Sequence, residues 1–219
     1  MSAWRDRQIA AVVLAAGGSR RMAGASKLLL PHPVDGAPLV RHAVAGVLAL
    51  APIETVVVVR PALPALAAAL AGLPIRPIAN PDFAAGMATS LRRGIAALDP
   101  AVAAALVVLG DTPDVAPAVF AALLAAYTTH GRPITVPVYG GTLGPPTLFG
   151  RAAFAELRAL TGDQGGRPVI ARHPEWVCRV ALPAAWQPPD IDTAADYAAY
   201  RAQFDASTKD TQGHEATKS

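Results

Sequence analysis

The chain has 219 residues, of which 53% are hydrophobic, 16% charged and 5% aromatic. A disordered chain is poor in apolar residues and rich in charge, so this composition excludes disorder of the whole and points to one domain with an aliphatic core. The net charge of +3, from 19 Lys and Arg against 16 Asp and Glu, comes with no basic run longer than two residues, which argues against a nucleic-acid surface.

Short aliphatic runs alternate with alanine-rich helical patterns along the chain. Residues 9–14 follow Arg5 and Arg7 but lead straight into a glycine-rich loop, so they read as a buried strand rather than the core of a secretion signal. Further strands of the buried parallel type are expected at 55–59, 75–78, 105–109 and 134–138. Helices are expected between them at 38–50, 64–71, 87–98 and 117–127. This makes βαβ units and an α/β, Rossmann-like three-layer sandwich with a mostly parallel sheet. The stretch 133–150 lacks a formal charge, yet it carries too many prolines and glycines to span a membrane. Helices at 151–160 and 168–172, a strand at 177–182 and a helix at 194–204 complete one domain over 1–204, and the polar segment 205–219 is expected to fray. The single cysteine, Cys178, cannot form an internal disulfide and fits a reducing cytoplasm.

Chemistry begins where the first strand ends. Leu14, Ala15, Ala16, Gly17, Gly18 and Ser19 lead to Arg21 and then to Lys27. Glycines there let backbone amides approach a polyphosphate, and Arg21 and Lys27 supply neutralising charge. Neither the Walker spacing nor the dinucleotide G-x-G-x-x-G pattern is present. Outside the polar tail Lys27 is the only lysine in a chain that otherwise uses arginine, which suggests that a compact ammonium is wanted in a cramped phosphate site. The fourth strand ends in Gly110-Asp111-Thr112-Pro113, placing a carboxylate at the carboxyl edge of the sheet, where open α/β folds bind ligands. Asp111 suits Mg²⁺; the alternative is a helix cap, a role Asp114 could fill equally well. Asp190 and Asp192 form a second acidic pair just before a helix, where one of them is expected to cap.

Taken in order, these segments resemble the MobA-like nucleotidyltransferases, and within them the molybdenum cofactor cytidylyltransferase group. The resemblance spans 9–200 and adds Gly86 to Gly94, Pro146-Thr147-Leu148-Phe149 and Thr161 to Arg167 to the motifs above. It implies a Mg²⁺-dependent enzyme that transfers CMP from CTP to the terminal phosphate of molybdopterin and releases pyrophosphate, with a molybdoenzyme of the xanthine dehydrogenase type as a downstream partner. It also implies catalytic roles for Arg21, Lys27 and Asp111, and a metal held by Asp111 and the Asp190–Asp192 pair, with Asp192 favoured. The segment containing Asn80, Gly86 and Ser90 would close over the base, and Ala16, where guanylyl-transferring relatives have glycine, points to cytosine. Thr112, Pro146, Asp163 and Arg167 would face the acceptor. Thr112 and Pro145 depart from residues common in the group, glutamine and histidine, and both lie toward the acceptor half. A sugar or polyol phosphate is the alternative acceptor, and a non-catalytic molybdenum cofactor carrier is the alternative function. A carrier has no need of Arg21, Lys27, Asp111 and Asp192 together.

Overall fold

A computed structural model describes residues 2–17, 26–61 and 63–215, with 206–215 described by their backbone alone. Its strands are β1 Ile9–Ala15, β2 Thr55–Val59, β3 Arg76–Ala79, β4 Ala104–Leu109, β5 Ile134–Tyr139, β6 Thr142–Leu143, β7 Thr147–Gly150 and β8 Val177–Leu182. The helices are α1 Ala3–Asp6, α2 Leu39–Leu48, α3 Pro64–Leu70, α4 Met87–Ala97, α5 Pro117–His130, α6 Phe154–Arg158, α7 Arg167–Arg172 and α8 Ala194–Glu215.

The strands form one sheet in the order β3-β2-β1-β4-β7-β5, with β8 on the far side of β5 and β6 paired to the end of β5. Pairs β1–β2, β1–β4, β2–β3 and β5–β8 are parallel, and β7 lies antiparallel between β4 and β5. Strand β1 sits at the centre and is buried along its whole length. Ile9, Ala11, Val13 and Ala15 face one hydrophobic layer, built with α2, α3 and α5. Ala10, Val12, Leu14 and Ala16 face the other, built with α4, α6 and α7. Burial on both faces is the reason this strand reads as a continuous apolar run instead of an alternating one.

Four expectations need correcting. The 75–78 run is displaced by one residue to β3, which is an edge strand with three of its four residues exposed, as suits Pro77, whose missing N–H cannot serve a central ladder. The 151–160 helix is shorter: a 3₁₀ turn at Arg151–Ala153 precedes α6. Strands β6 and β7 were not anticipated; Gly140 and Gly141, both at positive φ, make the tight turn that folds β6 back on β5. At the C-terminus the backbone stays helical to Glu215, past the expected end at 204. Leu39, Ile191 and Tyr200 form a small cluster that seats α8 and the segment before it against the start of α2. Among the described residues no helix is long and apolar enough to cross a membrane.

Helix α4 lies against β1 and β2 at very short range. A Cβ added at Gly94 would come within 2.4 Å of Val12 Cγ1 and 3.1 Å of Val58 Cγ2, and β-branched neighbours cannot turn aside. Gly94→Ala is expected to cost about 1–3 kcal/mol of stability through overpacking. Denaturant unfolding checks this, and an unchanged midpoint would show that α4 can lift off the sheet freely.

Candidate active site

The parallel strands end together at one edge of the sheet, and three charged side chains from distant segments meet there. Lys27 opens a 3₁₀ turn after the glycine-rich loop, Asp111 lies two residues beyond the end of β4, and Asp192 precedes α8. The Lys27 ammonium is ion-paired to Asp111 and donates to Asp192 Oδ1 at 2.7 Å. Lys27 and Asp111 side chains are only 15% and 18% exposed, against 41% for Asp192. Burial opposes the lysine's charge, but Asp111 and then Asp192 outweigh it and hold the ammonium above the usual lysine range. Asp190 stands in the same field; partial burial first, then Asp192 and Asp111, push its carboxyl above the usual carboxylate range. The site is therefore an acidic cluster around one internal cation.

Neither aspartate of the C-terminal pair caps the helix that follows. Asp196 accepts hydrogen bonds from the Thr193 backbone N–H at 2.7 Å and hydroxyl at 2.8 Å, and Thr193 Oγ1 accepts from the Asp196 N–H at 3.2 Å. This reciprocal capping box replaces the expected aspartate cap and leaves Asp190 and Asp192 to the site. Asp111 and Asp114 are likewise not caps: α5 starts at Ala116–Pro117 with no side-chain cap bond. Asp114, held at φ +57°, accepts at Oδ2 from His32 Nε2 at 2.9 Å and from the Tyr200 hydroxyl. This hub joins the same three segments that carry Lys27, Asp111 and Asp192.

Leu14, Ala15 and Ala16 are buried at the end of β1, with Ala16 in the layer shared with α4, and Gly17 is exposed just beyond. Gly18, Ser19 and Arg21 lie outside the described residues. Asn80 is fully buried and builds the 80–90 turn: its amide donates to Thr89 Oγ1 and Ser90 Oγ, both at 2.9 Å, and its carbonyl accepts from the Asp82 N–H at 3.1 Å. Asn80 and Ser90 thus satisfy each other inside the protein, a scaffold role the sequence reading did not assign. Gly86, at φ +112°, is needed for packing: a Cβ there would sit 2.5 Å from the Gly162 carbonyl oxygen. Asp163 Oδ1 accepts from the Met87 N–H at 2.8 Å and the Gly162 carbonyl from the Ala88 N–H at 3.1 Å. The expected acceptor loop is thus docked on the expected base loop at the start of α4. Arg167 is exposed at the first position of α7. Thr112 and Pro146 are buried, and the Thr112 hydroxyl donates to the Leu109 carbonyl at 2.8 Å.

Strand order gives a Rossmann-like α/β fold with this charged cluster at the carboxyl edge of its parallel strands. Residues 11–176 match the MobA-like NTP transferase domain, and the chain belongs to that family. It is 34% identical over 163 residues to the bifunctional protein GlmU of Rhodospirillum rubrum, an alignment covering 71% of this chain and 35% of GlmU. The chain therefore spans about a third of the length of that relative. It superposes on the crystal structure of Rv0371c from Mycobacterium tuberculosis H37Rv with a TM-score of 0.77 and 32% identity, over 89% of this chain and 97% of the other. It also superposes on the manganese complex of Rv0371c, with a TM-score of 0.73 and 31% identity over 89% of this chain and 98% of that one.

Asp163 supplies the side-chain bond in the docking of the two loops. Asp163→Ala is expected to lose about 1 kcal/mol, the scale of a helix N-cap, and to raise KM for the nucleoside triphosphate, while Asp163→Asn, which keeps an acceptor oxygen, restores both. Thermal unfolding together with KM measurement tests this; an unaltered KM in Asp163→Ala would separate the loop from the nucleotide.

Proposed function

We propose that this chain transfers a nucleotidyl group from a nucleoside triphosphate to a phosphate-bearing acceptor, with CTP as donor, the terminal phosphate of molybdopterin as acceptor and Mg²⁺ as the metal. The observation that carries this reading is the convergence of Asp111 and Asp192 on the Lys27 ammonium at the carboxyl edge of the sheet. Two carboxylates from separate segments that already share one cation are a fitting donor set for Mg²⁺, which takes hard oxygen ligands and one or two carboxylates. The manganese complex of Rv0371c supports divalent metal use in a relative. When bound, the metal would supply positive charge to the phosphates.

In the reaction, an acceptor phosphate oxygen attacks the α-phosphorus in line, the bond to the β-phosphate breaks, and pyrophosphate leaves. Such transfers are driven mainly by positioning and electrostatics, so no protein nucleophile is required. Asp111 and Asp192 hold the cationic side of the site. Lys27, which the two carboxylates hold at this edge, would present its ammonium to the charge gathering on the departing pyrophosphate. Arg21 would act on the same triphosphate. The turn built by Asn80 and Ser90, with Asp163 docked on it, supports the base side, and Ala16 supports the preference for cytosine. Arg167 stands ready for an acceptor phosphate or carbonyl.

Pyrophosphate release, measured with CTP and GTP against molybdopterin and a set of sugar and polyol phosphates, tests the assignment. Release is expected with CTP and molybdopterin in the presence of Mg²⁺, and Lys27→Met should lower turnover by about 10²–10³, the scale of one electrostatic stabiliser. Wild-type turnover in Lys27→Met would remove the lysine from the reaction, and release only with sugar or polyol phosphates would overturn the molybdopterin assignment.

A further inference from the structure

On the α2 side of the same edge lies a second polar cluster that the nucleotidyl transfer does not use. His32, His42 and Asp114 each offer a ligand atom, and these atoms lie within 4.8 Å of one another. The two imidazoles are stacked with centroids 3.6 Å apart and planes 12° apart, so the more exposed His42 ring must rotate for both in-plane lone pairs to meet one ion. His32 is 3% exposed at its side chain, His42 24% and Asp114 38%. His42 and Asp114 line a cavity of about 380 Å³ between α2 and the start of α5. We propose that His32, His42 and Asp114 form a binding site for a borderline transition-metal cation of the Zn²⁺ type, separate from the carboxylate site of Asp111 and Asp192.

The supporting contacts are those such a site requires. A metal-binding histidine characteristically donates its other ring N–H to a carboxylate, which fixes the tautomer and raises the basicity of the ligating nitrogen. His42 Nε2 already bonds Asp35 Oδ1 at 2.9 Å, which leaves Nδ1 to present its lone pair. The same Asp35 oxygen is 4.0 Å from His32 Nδ1, outside hydrogen-bond reach in this arrangement. On the other side of His32, Nε2 faces Asp114 Oδ2 at 2.9 Å, and the Tyr200 hydroxyl orients that carboxylate. Without a cation, His32 Nδ1 accepts from the Val34 N–H at 3.2 Å, so its proton sits on Nε2. Metal binding moves that proton to Nδ1 and frees Nε2 for the ion; the Val34 N–H then loses its acceptor, and the ring must turn to close the 4.0 Å gap to Asp35. No net proton is gained or lost at the ring.

Donor chemistry sets the selectivity. Two imidazole nitrogens and one carboxylate suit Zn²⁺, Co²⁺ and their neighbours, whereas Mg²⁺ prefers oxygen donors alone, as at Asp111 and Asp192. Three protein ligands beside a cavity also match a tetrahedral Zn²⁺ whose fourth position is left to water or an outside ligand. An ion here ties the segment after Lys27 to α2 and to the loop that carries Asp111.

The test is isothermal titration of the full chain with Zn²⁺, repeated with Co²⁺ while following its visible absorption. Binding with two nitrogen donors is expected in the wild type, and it should survive in Asp192→Asn, which disables the carboxylate site alone. His42→Ala should weaken it by at least about tenfold, and Asp35→Asn, which keeps the shape but loses the backing charge, by about 10–100-fold. Both positions are exposed enough to spare the fold, which circular dichroism verifies. Equal affinity in wild type and His42→Ala, or Co²⁺ binding that vanishes in Asp192→Asn, would overturn the site.

Discussion

Lys27 is the constraint around which the functional edge is organised. Its ammonium is largely withdrawn from water and paired with two carboxylates that come from separate segments, the loop after β4 and the stretch before α8. An isolated buried ammonium would be costly, and so would a bare cluster of Asp111, Asp190 and Asp192; together they compensate each other. The lysine therefore keeps the three carboxylates together at this edge. A guanidinium is too broad and planar to occupy the same small gap, which accounts for one lysine in a body built with arginine.

The surrounding fold keeps the three partners in register. Central strands β1 and β4 run in parallel from Ile9 and Ala104 to Leu14 and Leu109, so the glycine-rich loop and Asp111 leave the sheet side by side. Asp192 has no strand to fix it. Its place comes from Ile191 and Tyr200 packed against Leu39, from the Thr193–Asp196 capping box, and from Tyr200 and His32 meeting on Asp114. A buried polar hub of this kind has discrete geometry, because each missing bond would leave a desolvated group unpaired. The His32–His42–Asp114 cluster grows from the same hub, so metal chemistry there and the placement of Asp111 are mechanically linked.

Much of this was legible in the residues. The aliphatic runs of β1, β2, β4 and β5 announce buried strands, and Asp111 at the end of one of them announces a ligand edge. Strand β7 escaped notice because four residues after two prolines carry no period of their own; its place between β4 and β5 is a property of the whole sheet. Edge position was equally invisible in β3, although Pro77 was a usable signal. The Thr193–Asp196 box was readable as a local pattern, and it would have freed both neighbouring aspartates from the role of cap. Nothing local pairs Lys27 with Asp192, which are 165 residues apart, or Gly86 with Gly162. Gly86 and Asn80 resemble base-contact residues by position, and only packing reveals that Asn80 builds its own turn while Gly86 lets that turn dock on the 162–163 loop.

On the proposed function, Lys27 stands between Asp111 and Asp192 where a divalent cation would bind. Mn²⁺ affinity, followed by electron paramagnetic resonance of the free ion in a His42→Ala background, tests it without recourse to turnover. Removing the competing ammonium in Lys27→Met should tighten Mn²⁺ binding by about tenfold or more, since one close unit charge in a partly solvated site is worth at least that, and adding Asp111→Asn should abolish the gain. Mn²⁺ binding that is unchanged or weaker in Lys27→Met would mean that the lysine and the metal do not share the site.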